Sequence, residues 1–256
     1  MKRYVVPVLL LVVVLSGCSA AKTSAGSDKA VKPLSQAEIQ AIIRETNKSL
    51  IGNVLSPDDK PSPAEQARAN EMMQKLGKAL KDKATVDNRS VILARVDGEA
   101  LTAFDWYYRK GWEMGKAENR ARPVSSDREI LDELIEIKAI TSAARQLGLY
   151  PPVAQIEAYV ADQRRIMNAL KPEEIFVMLD AWGISEEEYY ELMKGVWTDS
   201  LARTNWCFYV KKHVLPHAPK ESSVTDVNEL YNNQAARLRE KAKVEITPAG
   251  RALGLR

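Results

Sequence analysis

The chain has 256 residues, 37 basic and 34 acidic, with a formal net charge of +3 and only two cysteines. So even a balance argues against a nucleic-acid partner, which selects a concentrated basic face. The length allows one large domain or two small ones. High, well-mixed charge reads as the solvated surface of helices.

The start of the chain predicts export. Lys2 and Arg3 precede an apolar run from Val5 to Leu15, followed by Ser16, Gly17 and Cys18. A basic segment, a short apolar segment and small residues before a cleavage point make a secretory signal. Eleven helical residues span about 16 Å, and a bilayer core of about 30 Å needs about 20 residues. The run is therefore too short for a transmembrane anchor. Leu15-Ser16-Gly17-Cys18 resembles a bacterial lipobox, which implies removal of residues 1–17 and acylation of Cys18. Two or more acyl chains hold a protein stably to a membrane. Once Lys2 and Arg3 are gone, 35 basic residues face 34 acidic ones. With Cys18 committed to lipid, Cys207 has no partner within the chain and a disulfide framework is excluded. Its setting, Trp206-Cys207-Phe208, fits a buried inert thiol. Residues 18–34 are polar and lack an apolar period, as expected of a tether.

Helix signals then recur. Ser35 to Glu38 is a capping box opening a helix with Ile39, Ile42, Ile43 and Leu50. Ser62 to Glu65 is a second box, with Pro63 at the first helical position, and its helix runs to about Lys83. Gly52 to Pro61 reads as a turn, so 35–83 is expected to form a helical hairpin, and 84–256 the main domain. Val91 to Val96 is short and β-branched, and Asp97-Gly98 predicts a tight turn with Glu99 to Leu101 returning. Thr102 caps a helix with Phe104, Trp106, Tyr107, Tyr108, Trp112 and Met114. Ser126 to Glu129 opens another, with Ile130, Leu134, Ile137 and Ala144 on one face. There acidic residues lead and Lys138 and Arg145 trail, matching the helix dipole. Further helices are expected over 152–170, 172–182, 185–213 and 225–241, with a closing strand over 243–247.

Chemistry-bearing clusters are sparse. The two histidines, His213 and His217, flank Pro216, which argues against a continuous helix and a shared metal. Neither a glycine-rich phosphate cradle nor a nucleophile elbow is present. No metal, cofactor or catalytic residue is expected. The remaining signal is apolar, and two readings of it stay open. The rings and methionines are core, or Trp106, Tyr107, Trp112, Met178, Met193 and Trp197 line a partly exposed groove for apolar peptide segments.

Four stretches, in order, resemble the N-terminal region of the SurA and PrsA extracytoplasmic chaperones. They are Ala94 to Thr102, Ile130 to Lys138 with Ala144 to Leu149, Trp182 to Tyr189, and Val224 to Tyr231. The resemblance covers residues 91–247. It implies a mainly α, multi-helix chaperone lobe with a two-to-three-stranded β element, in which the opening strand pairs with a strand after the last helix. It also implies binding of unfolded or exported polypeptides. Only nine residues follow Thr247, too few for the prolyl isomerase module common in the family, so no isomerase residues carry over and no enzyme is expected. The rival expectation is an adaptor lipoprotein docking one folded envelope partner.

Overall fold

The computed structural model describes residues 34–50, 61–120, 123–217 and 227–256. The signal segment, Cys18, nearly all of the tether, the turn at 52–60 and the expected helix start near Thr225 lie outside them. Among the described residues the chain is mainly α, with nine α-helices and one three-stranded antiparallel sheet. In chain order these are α1 (Gln36–Leu50), α2 (Pro63–Leu80), β1 (Ile92–Val96), β2 (Glu99–Thr102), α3 (Ala103–Arg120), α4 (Asp127–Gln146), α5 (Val153–Leu170), α6 (Glu173–Trp182), α7 (Glu186–Tyr209), α8 (Val227–Lys241), β3 (Val244–Ile246) and α9 (Pro248–Ala252).

The sheet order is β2-β1-β3. Asp97 and Gly98 both have positive φ (49° and 89°), as a two-residue hairpin turn matched to strand twist requires. Asp97 also anchors the other side of the sheet. Its N–H donates to the Lys243 carbonyl and its Oδ1 accepts from the Lys243 N–H, both at 2.9 Å. The opening strand pairs with the closing one, as the resemblance implied. Helix α9 has no counterpart among the expected elements. Thr247 caps it, and it lies against the sheet with Gly250 at the contact; a Cβ there would overlap the Leu93 carbonyl oxygen.

The capping boxes of α2, α4 and α7 form as read, each with the serine hydroxyl on the third helical N–H and the glutamate returning to the serine N–H. The helix expected to run to His213 gives way at Val210 to a wider turn, 210–214, and then to a tight turn ending at His217.

Residues 35–83 do not form a separate hairpin. Ile39, Ile42 and Ile43 of α1 pack with Ile140, Leu149, Trp206 and Tyr209. Met73, Leu76 and Leu80 of α2 pack with Phe104, Met178, Leu179 and Trp182. Each helix thus fills its own part of the 84–256 core. Cap and turn chemistry set where a helix begins; the shape of its apolar stripe sets which helix it joins.

Helices α2 and α6 run side by side in the same direction. Gln66 and Asn70 bond Glu174 and Glu173 at one end, and Trp182 Nε1 donates to the Ala84 carbonyl at the other (3.1 Å). Between them a Cβ on Gly77 would overlap the Met178 carbonyl oxygen and stand 2.8 Å from Ala181 Cβ. Gly77→Ala must part the helices, and overpacking of this kind costs about 1–3 kcal/mol. Gly195 on α7 has nothing within reach of a Cβ. There the same change should stabilise by up to about 1 kcal/mol through helix propensity. Urea unfolding of the two variants should move in opposite directions.

Candidate docking surface and buried polar core

The structure corrects the expected aromatic groove. Trp106, Met178, Met193 and Trp197 are buried, each 4% exposed or less. Tyr107 and Trp112 are half-buried and rest on the same core. Helix α3 buries two sides because it lies between two clusters. Phe104 and Tyr108 face α2 and α6, while Trp106 faces the sheet and α4. Ring contacts fill the first cluster. Phe104 stacks on Tyr108 and Trp182, and Trp197 meets Tyr159, Tyr189 and Tyr190 at centroid distances of 5.8–6.1 Å. Burial raises the Tyr159 hydroxyl to about 12, with a smaller push from Asp162, so it stays neutral. The large apolar side chains that remain exposed include Met114, Val124, Val153 and Phe176.

Lys138 is the residue the sequence placed wrongly. It is not surface charge complementing the α4 dipole. Its Nζ lies 2.6 Å from Asp199 of α7 and 3.2 Å from Asp105 of α3, and its side chain is 9% exposed. Thr141 donates to Asp199 at 3.1 Å, and the Thr102 N–H donates to Asp105 at 2.9 Å. Asp105 therefore serves two ends, the α3 cap and the buried ammonium. A signal was available: Lys138 follows Leu131 and Leu134 at three-to-four spacing on a buried face. Two attracting carboxylates outweigh burial and hold the ammonium above its ordinary value. Burial raises the Asp199 carboxyl above the usual range, against the pull of Lys138 and with a further push from Asp105.

A second buried network is neutral. Asn205 Nδ2 donates to the Leu149 carbonyl at 2.9 Å and to Gln155 at 3.2 Å, and Gln155 donates to Asn47 at 3.0 Å. It fastens α1, α5 and α7 together. Arg109 holds Glu133 through two guanidinium nitrogens and also reaches Glu113 at 3.2 Å. Burial raises the Cys207 thiol, tempered by Lys211 and Arg203, in keeping with an unreactive cysteine. His213 stacks on Tyr209 at 5.5 Å. Among the described residues no group of three or more metal-ligating side chains converges, and no helix is long and apolar enough to cross a membrane.

Comparison of the chain with protein-family models, curated proteins and solved structures finds no match.

Removing one member of a buried ion cluster costs more than the cluster contributes, because the remaining charges stay desolvated. Lys138→Met should lower unfolding free energy by about 3–5 kcal/mol, measured by urea titration. The pH dependence has a definite sign. Folded Asp199 keeps its proton at pH values where the unfolded chain has released it. Its contribution is present below the unfolded-state value and lost as pH rises through the folded value. Asp199→Asn should therefore gain stability relative to the parent chain as pH rises above about 4, the ordinary value of an unfolded aspartate. A constant difference above that pH would show that Asp199 is not raised.

Proposed function

We propose that this chain is a lipid-anchored adaptor of the bacterial cell envelope that docks one folded partner. In this reading Cys18 carries the acyl chains, and residues 18–34 hold the body off the membrane. The observation that favours an adaptor is the burial of Trp106, Met178, Met193 and Trp197 between helices. A body whose rings are committed to its own core offers a partner defined polar and charged positions, not an open apolar channel. Recognition of one complementary surface suits such a body better than retention of many unfolded chains.

ATP-independent binding of unfolded or exported polypeptides is the second reading. The resemblance to the SurA and PrsA chaperones supports it. Half-buried Tyr107 and Trp112 and the exposed Met114 are the apolar side chains on α3 that it would use.

Affinity capture from detergent-solubilised membranes separates the two. The adaptor reading expects one partner at near-stoichiometric yield, and no suppression of aggregation when an unfolded client is diluted beside the protein. Many substoichiometric clients together with aggregation suppression would reverse the order. The anchor is tested by metabolic labelling with a fatty acid, which Cys18→Ser should abolish while moving the protein to the soluble fraction.

A further inference from the structure

Strand β3 is an open edge of the sheet. The Asp97 N–H donates to the Lys243 carbonyl, and the Thr247 N–H donates to the Leu93 carbonyl. Bonded pairs in an antiparallel ladder recur at every second residue, so Arg95 and Glu245 are the bonded pair between those two. Val244 and Ile246 occupy the non-bonded positions, and their N–H and C=O groups point away from β1. One of these four groups is satisfied within the chain: the Ile246 carbonyl accepts from Arg251 Nη1 at 2.7 Å. Among the described residues, the Val244 N–H and C=O and the Ile246 N–H have no backbone partner.

A hollow of about 400 Å³ adjoins this edge, lined by Ile246, Arg251, Gly254, Leu255 and Arg256. Leu255 is buried, and the two arginines are exposed. A guanidinium has five N–H donors and no acceptor. With one used on Ile246, Arg251 keeps donors for an anion. Lys243 adds positive charge along the strand and is balanced by Glu245 at 2.7 Å. The hollow itself has no acidic side chain among its lining residues.

We propose that β3 accepts an extended segment of the partner as a fourth strand, with a carboxylate of that segment held in the Arg251–Arg256 hollow. This rests on the adaptor reading and names the chemistry of its contact. Main-chain pairing supplies the register, and the arginines supply the selectivity. A three-residue strand with alternating Lys243 and Glu245 resists indiscriminate pairing but leaves complementary segments a place.

The probe is a fluorescein-labelled heptapeptide of alternating valine and aspartate, titrated by anisotropy into the full chain purified in detergent. Saturable binding in the micromolar range is expected. Arg251→Glu should weaken it about tenfold at unchanged melting temperature, and lysine in place of aspartate should do the same. N-methylation of alternate peptide nitrogens should abolish it, because it removes the ladder donors. Absence of saturable binding, or binding indifferent to N-methylation or to peptide charge, overturns the proposal. So does a dimer in sedimentation that Val244→Pro dissolves, since the edge would then belong to a second copy. If membrane capture yields a stoichiometric partner while the peptide fails, the strand contact falls and the adaptor reading stands. Failure of both removes the adaptor reading as well.

Discussion

One buried ammonium fixes how the helices of this protein meet. Lys138 rises from the middle of α4 and is clasped by Asp105 at the start of α3 and Asp199 in the middle of α7. Helix α3 leaves the sheet, α4 crosses the body, and α7 runs along both helical clusters. An ion cluster of this kind contributes little net stability, since desolvation offsets most of the attraction. Its effect is on register. Sliding α7 by one turn on α4 would leave a charge buried and unpaired, and that alternative is far costlier than a shifted apolar contact.

Close approach is the second constraint, and small residues carry it. Gly77 lets α2 lie against the backbone of α6, and Gly250 lets α9 settle on β1 at the Leu93 carbonyl. Gly111 admits Leu76 and Leu80 against α3. These contacts explain why α2 belongs to the core although it lies far from its neighbours in the chain. They also explain why the rings between α2, α3 and α6 are enclosed. Once α2 and α6 meet at backbone distance, Met178 and Trp182 are enclosed with Phe104 and Tyr108.

Local chemistry was legible in the sequence, and tertiary choice was not. The serine–glutamate boxes of α2, α4 and α7 and the Asp97-Gly98 turn follow from patterns a few residues long, whereas the pairing of the first strand with the last was an expectation of the resemblance alone. The burial of Trp106 does not, because an aromatic at helical spacing looks the same whether the opposing helix is present or absent. Lys138 illustrates the converse. Its spacing from Leu131 and Leu134 pointed inward, but its last-half position on α4 suited the dipole equally well, and the arrival of Asp199 from 61 residues away decides between the two. Helix α9 escaped because five residues with a proline and a glycine carry no period. The closing strand was visible, but nothing in Lys243 to Thr247 says which side of it stays open.

With Trp106, Trp182 and Trp197 enclosed, the proposed partner contact falls on what the body leaves unpaired. Side-chain ion pairs on the surface are mostly closed on themselves, as Arg164 is on Glu187 and Arg145 on Glu99, and exposed pairs of this kind contribute little to binding. Main-chain groups differ, because an unpaired N–H and C=O on a strand edge cannot be satisfied by rotating a side chain. They wait for water or for another strand. Val244 and the Ile246 N–H present such groups beside a hollow lined by Arg251 and Arg256 and by no acidic side chain. Closing the α-helical core therefore does not make the surface featureless. In the proposed adaptor reading it moves recognition from apolar contact to backbone pairing, where geometry and charge select together.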